Sequence, residues 1–339
     1  MDDTMKKWKL AFVLLFVMGV LTACGMSTTT KSTGDGAKKE KIVIGYFPNI
    51  DHVPAMVARE KGYYEQALGE NFDIEYRTFP DGGTFMTALK SGDIDGGLVG
   101  PAPVMNNFAS GADVKIVSGA SSGGTVVVAS ANSGITNLED IEGKTFITPG
   151  IGCTHDVQFE TYLQQQGNDK LTSSRIGGSL QHVTGNPAQY QGMFETGKVD
   201  LAAVPEPWAS ILAQNGAKVI VSTDEIAYGN TLPNTVFVVN GSLIKEKKEV
   251  VKALVQAQQQ AVDFIKSQPD EAQKIAIQSI KDLTKQEVDE DIVKQAMARI
   301  TYTTEINENV IKEFAQSSFE LDFLKENPKL DGLVDLSFQ

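Results

Sequence analysis

The chain has 339 residues, a formal net charge of −13, three histidines and two cysteines. That acidic balance argues against nucleic acid and against adhesion to anionic lipid, and the length suits two compact lobes better than one. His52, His155 and His182 with a single cysteine beyond the leader make a poor metal cluster, so no metal and no cofactor are expected.

In chain order, Lys6, Lys7 and Lys9 precede an apolar run over residues 10–20 and then Leu21-Thr22-Ala23-Cys24. A basic start, a short apolar stretch and small residues before a cleavage point read as an export signal over residues 1–23, too short to cross a bilayer comfortably. Asp2 and Asp3 sit oddly in such a leader and point to Met5 as the start of translation. A cysteine directly after Leu-x-Ala resembles the bacterial lipoprotein signal, which implies lipidation of Cys24; the plain alternative is an ordinary signal peptide with a stray cysteine. Residues 24–41, rich in Ser, Thr, Gly and Lys, cannot bury enough surface to fold and are expected to be a tether. Loss of the leader takes the charge to −14 and leaves Cys153 without a disulfide partner. No later segment is apolar and long enough to span a membrane, so attachment falls to Cys24.

A strand over residues 41–47 leads to a helix over 53–64, with Gly62 as its stop. The alternation over 72–79 predicts a strand, and Asp81-Gly82-Gly83-Thr84 opens a helix to Lys90. Strands over 95–99 and 114–118 complete a βαβ sheet, whose parallel strands need helices on both faces. The apolar strand over 126–130 enters a second sheet unit that starts at residues 138–147, and the strand over 235–240 matches it on the return. Beyond lie helical stripes: Val250, Val251, Leu254, Val255, Val262 and Ile265, then Val288, Ile292, Val293, Ala296 and Ile300. Those stripes are core by default and take no ligand.

One phrase occurs twice. Residues 88–95 run into Leu98-Val99-Gly100-Pro101, and 105 positions later residues 193–200 run into Ala203-Val204-Pro205-Glu206. In each, a helical stretch ends at a glycine suited to a left-handed cap, an apolar strand follows, and proline stops it. Open α/β sheets bind ligands outside strand carboxyl ends, so two such units facing each other describe a cleft between two lobes.

Three segments, Ile44-Gly45-Tyr46-Phe47-Pro48, Leu138-Glu139-Asp140-Ile141-Glu142-Gly143-Lys144 and Pro205-Glu206-Pro207-Trp208, stand in an order that resembles the solute-binding proteins of ABC importers for nitrate, sulfonate and taurine. The likeness covers residues 41 to about 325. It implies a two-lobed α/β fold of the type II periplasmic-binding-protein kind, closing on a small solute by a two-strand hinge and docking on a membrane permease. The expected division is residues 42–125 plus 240–339 for lobe one and 126–239 for lobe two, hinge strands included.

Loops at strand carboxyl ends and helix starts are the candidates for the cleft. Bare N–H groups at Gly83 and Thr84, on a helix start, favour an anion, or form a plain N-cap. The segment Cys153-Thr154-His155 repeats that arrangement in lobe two. Within the resemblance it is similar to the loop where sulfonate and taurine binders place hydroxyl residues and a histidine; Thr154 and His155 match best, and Cys153 stands where serine is common. Glu206, between two prolines, is expected to face the cleft as the partner of a ligand ammonium, with Trp208 or Phe47 stacking on a ring; the alternative is that Glu206 caps the next helix and Trp208 is core. Asn49 and His52 add hydrogen bonds from lobe one, unless His52 caps the helix after it. Pro101 and Ala102 line the floor, and Ser121 and Ser122 offer further donors.

Catalysis finds little support. There is no Gly-x-Ser-x-Gly elbow and no phosphate loop, and Cys153 and His155, two apart at a helix start, face each other poorly as nucleophile and base. The expected function is therefore an extracytoplasmic, lipid-anchored and monomeric binding protein, on a Gram-positive surface rather than in a periplasm, that delivers an anionic or zwitterionic sulfonate such as taurine to an ABC permease. The alternatives are a carrier of a cationic or heterocyclic nutrient such as a thiamine pyrimidine precursor, a carrier of nitrate or bicarbonate, and a pyrimidine-forming enzyme on the same fold.

Overall fold

The computed structural model describes residues 39–339. The expected leader, Cys24 and most of the tether lie outside the described residues. No helix among the described residues is long and apolar enough to cross a membrane.

Strands β1 (Glu40–Tyr46), β2 (Phe72–Thr78), β3 (Gly96–Val99) and β4 (Val114–Gly123) alternate with helices α1 (Val53–Lys61), α2 (Tyr63–Leu68), α3 (Gly82–Ser91) and α4 (Pro101–Ala109). A second set follows: β5 (Thr125–Ala129), β6 (Thr145–Thr148), α5 (Thr154–Gln165), β7 (Gln181–Thr184), α6 (Tyr190–Glu195), β8 (Leu201–Pro205), α7 (Trp208–Gln214) and β9 (Lys218–Val221). The chain returns through β10 (Thr235–Asn240) into α8 (Gly241–Glu246), α9 (Lys248–Ser267), α10 (Pro269–Thr284), α11 (Glu290–Met297), β11 (Ile300–Tyr302) and α12 (Glu308–Glu320).

Two sheets result, ordered β11-β4-β10-β3-β1-β2 and β7-β6-β8-β5-β9. Within each, three parallel strands sit beside one antiparallel strand, so β10-β3-β1-β2 corresponds to β5-β8-β6-β7. The repeated phrase supplies the central parallel strand of each, β3 and β8. Gly92 ends α3 at φ 79° and Gly197 ends the turn after α6 at φ 64°, left-handed positions that glycine alone takes without strain. The repeated aspartates then act as clamps. Asp95 Oδ2 accepts from Val43 N at 2.8 Å, and Asp200 Oδ2 accepts from Thr145 N at 2.9 Å, each locking the central strand to its parallel neighbour.

Three expectations change. The strand over 235–240, expected at the edge of lobe two as a hinge, lies inside the first sheet between β3 and β4. A strand that is apolar over residues 236–239 fits a covered interior position, and the chain crosses between sheets elsewhere, at Gly123-Gly124 and over residues 222–234. The helical stripe expected to reach Ile300 stops at Met297, because Ile300 pairs with Gly123 in β11. The helix over 53–64 divides at Gly62, whose φ of 65° ends α1 and starts α2.

Candidate functional site

A cavity of about 60 Å³ lies where the carboxyl ends of the parallel strands of both sheets meet. Phe47, Asn49, Asp51 and His52 follow β1, Phe79 and Asp81 follow β2, and Gly100 follows β3. Asn234, which precedes β10 of the same sheet, lies with them; opposite, Cys153, Thr154 and His155 follow β6, Asn186 follows β7 and Trp208 follows β8. The volume suits a solute of a few heavy atoms. No lysine or arginine among the described residues lines it.

Three of its polar lining side chains carry buried atoms that no neighbour among the described residues uses. Asp51 Oδ1, His52 Nδ1 and His155 Nε2 have no hydrogen-bond partner among the described residues. Burial, then the nearby Glu206 carboxylate, push the Asp51 carboxyl well above its ordinary range, against a smaller pull from the Asn234 amide. Burial lowers both imidazoles to about 3, with His155 adding to the effect on His52. Both are therefore neutral at pH 7. Asp51 Oδ2 meanwhile accepts from Asn234 Nδ2 at 3.3 Å. Thr125 Oγ1 lies 3.5 Å from Asn234 Oδ1 and donates to Gln158 Oε1 of α5 at 2.6 Å, so the carboxyl is linked to both crossing segments.

The sequence-predicted residues divide. Phe47, Asn49, His52, Cys153, Thr154, His155 and Trp208 line the cavity together. Asn49 also caps the turn at residues 50–52 through Asp51 N, whereas His52 makes no capping bond to α1. Gly83 and Thr84 do not line it. Asp81 accepts from Thr84 N at 2.9 Å and from Thr84 Oγ1 at 3.0 Å, so the start of α3 is filled by its own aspartate. The helix starts that meet are those of α4 and α5: Thr154 Oγ1 sits 3.4 Å from Ala102 N. Pro101 and Ala102 are consequently buried behind Thr154 rather than forming the floor. Ser121 is buried in β4, and Ser122 lines a separate hollow with Asn230 and Thr301.

Glu206 is a correction. Its carboxylate is fully buried, accepts from Ser210 N at 3.0 Å and Ser210 Oγ at 2.9 Å, and pairs with Arg299 Nη1 at 2.5 Å. It caps α7 behind the cavity wall, and the carboxyls that line the cavity are those of Asp51 and Asp81. Arg299→Met leaves Glu206 buried without its partner, with Asp51 nearby. The expected loss is about 2 kcal/mol in urea unfolding, below the usual figure for a broken buried pair because the Arg299 side chain is 45% exposed.

Asp51, Asn234 and Arg299 escaped the sequence reading. Only the contact of Arg299 with a residue 93 positions away reveals its part. For Asp51, the signal available was an acid directly before His52 at a strand carboxyl end.

The model of the NMT1-like family matches residues 35–280. The chain belongs to the NMT1-like family. A relative from Bacillus subtilis, named for aliphatic sulfonate binding, is 27% identical over 96% of this chain and 92% of its own length. The taurine-binding periplasmic protein of Escherichia coli is 26% identical over 71% of this chain and 73% of its own. Among solved structures, the alkanesulfonate-binding protein SsuA from Xanthomonas axonopodis pv. citri, bound to MOPS, superposes with a TM-score of 0.74 at 19% identity, covering 88% of this chain and 99% of that one. The two-lobed fold is thus shared with solute-binding proteins, as the sequence resemblance implies.

Proposed function

We propose that this NMT1-like chain is an extracytoplasmic solute-binding protein that captures a small sulfonate or aminosulfonate, taurine-like, and hands it to an ABC permease. One observation carries the reading: a small cavity between two equivalent sheets presents unpartnered Asp51 Oδ1 and His52 Nδ1 from one side and His155 Nε2 from the other. Asp51 takes the role first expected of Glu206, accepting from a ligand ammonium. The sulfonate goes to the first turn of α5, where Cys153 makes no side-chain cap and the helix start favours an anion.

Anchoring through a lipid on Cys24, a monomeric carrier and a Gram-positive surface complete the proposal. The lobes are residues 42–125 plus 240–339 and residues 126–239, with β10 moved to the first. Closure turns about Gly123-Gly124, both at positive φ, and about residues 222–234. A solute touching both walls favours the shut state. Burial and neighbouring Asp156 push the Cys153 thiol up to about 12, which denies it a nucleophile's role and supports carriage over catalysis.

A second reading, a cationic or heterocyclic nutrient, is favoured by the aromatic walls Phe47, Phe79 and Trp208 and by the lack of a lining cation. A thermal-shift panel of taurine, ethanesulfonate, nitrate, bicarbonate and pyrimidines, followed by calorimetry, separates the two. Taurine is expected to stabilise the protein. Asp51→Asn is expected to weaken taurine by about 10- to 100-fold, the range for a hydrogen bond to a charged group, and ethanesulfonate by less than about threefold. Equal losses for both ligands would remove the Asp51 assignment, and stabilisation by pyrimidines alone would favour the second reading.

A further inference from the structure

Another polar cluster lies beside the cavity but outside it, between α5 and β7. Asp156 and Glu160 stand one turn apart on α5, and His182 comes from β7. Both carboxylates are fully buried, and the His182 side chain is 5% exposed. The sequence placed no metal here, because spacing alone cannot bring His182 to the two acids.

Each of the three residues uses one polar atom on a neighbour. Gly152 N donates to Asp156 Oδ2 at 2.7 Å, and Ser173 donates to Glu160 Oε2 from N at 3.0 Å and from Oγ at 2.8 Å. His182 Nε2 lies 2.7 Å from Thr148 Oγ1. With the Thr148 hydroxyl proton on Gly150 O at 3.2 Å, His182 carries its proton on Nε2, and in that tautomer Nδ1 is a lone pair. The atoms left over, Asp156 Oδ1, Glu160 Oε1 and His182 Nδ1, have no hydrogen-bond partner among the described residues and lie within 4.8 Å of one another. Three buried acceptors aimed at one point are costly unless something positive joins them. Arg175 joins only one of them: its Nη2 pairs with Glu160 Oε1 at 3.6 Å, beyond hydrogen-bond reach, and its guanidinium lies over the Phe323 ring at 3.8 Å.

We propose that Asp156, Glu160 and His182 form a binding site for a divalent cation, and that Zn²⁺ fits it. One imidazole nitrogen and two carboxylate oxygens are a donor set for zinc, with solvent as the fourth ligand, and the two carboxylates balance its charge in a buried place. Tetrahedral bonds of about 2.0–2.1 Å put ligand atoms about 3.4 Å apart. His182 Nδ1 and Asp156 Oδ1 already stand 3.6 Å apart. Thr148, Gly152 and Ser173 hold the outer atoms in the way that hydrogen bonds behind metal ligands do, and stacking on Phe146 at 4.1 Å and 13° fixes the ring. The ion ties β7 to the helix whose first turn carries Thr154 and His155.

The test is chelator-stripped full-length protein titrated calorimetrically with ZnCl₂. One zinc per chain and a raised Tm are expected, with Asp156→Asn and Glu160→Gln each weakening zinc by at least about tenfold. Zinc K-edge absorption on the wild type, which needs no variant, is expected to show one imidazole nitrogen among oxygen ligands. The proposal is overturned by no stoichiometric uptake, by uptake undiminished in both folded variants, or by a ligand shell without imidazole; the cluster is then a carboxyl pair sharing a proton. Solute binding at the cavity is a separate readout, so neither result decides the other.

Discussion

Gly97→Ala is expected to abolish the native fold or to cost more than about 4 kcal/mol, the range reserved for changes that the structure cannot absorb. Gly97 lies in β3, directly opposite Gly45 of β1. A methyl group there would come within 2.0 Å of Gly45 O, 2.6 Å of Gly45 N and 2.7 Å of Gly45 C. All three are backbone atoms of a paired strand and cannot rotate aside. The φ of 151° adds strain, since L side chains rarely adopt it. Gly92→Ala is the control: its φ is 79°, yet an added Cβ meets nothing within 4 Å, so only the conformational cost of about 1–2 kcal/mol applies. Urea unfolding of both variants decides. A Gly97→Ala protein as stable as Gly92→Ala would mean that β1 and β3 do not pair in this register. The consequence reaches the cavity, because Phe47 and Gly100 leave those two strands at their carboxyl ends.

The architecture was legible because it is written in local signals that occur twice. Glycine caps, apolar strands and prolines at the strand ends identified both central strands, and the shared Asp95 and Asp200 turn out to be the same clamp in each sheet. The residues of the second wall were legible for a similar reason: Thr154 and His155 open a helix directly after a strand. What failed depended on partners distant in sequence. Glu206 between prolines reads as a presented carboxylate, and only Arg299, which no local pattern places near it, shows that its charge is already used. The start of α3 failed more simply, since Asp81 satisfies the donors that a ligand was expected to take. The convergence of Asp156, Glu160 and His182 needs β6 and β7 in register, where Phe146 meets His182, and no periodicity carries that information.

Acid should destabilise this protein through its two cavity histidines, and the double variant His52→Asn, His155→Asn is expected to lose that sensitivity. Burial holds both imidazoles down to about 3 in the folded chain, against an ordinary value of 6.5. A depressed value means stability that is fully present above pH 6.5 and is lost as pH falls towards the folded value, because the unfolded chain takes up the protons first. At pH 5 the folded histidines remain neutral, so the loss is set by the ordinary value alone. It amounts to about 2 kcal/mol per histidine between pH 7 and pH 5, or about 4 kcal/mol for the pair. Asp51 opposes this trend. Its raised value contributes stability below the ordinary carboxylate range that is lost as pH rises, so the wild-type profile mixes both signs. The difference between wild type and the double variant isolates the histidines. Urea unfolding at pH 7 and pH 5 should find the variant gaining about 4 kcal/mol on the wild type over that interval. A difference that stays constant across the interval would mean that the two rings are already solvated or charged in the folded chain, and the neutral cavity wall argued for here would have to be given up.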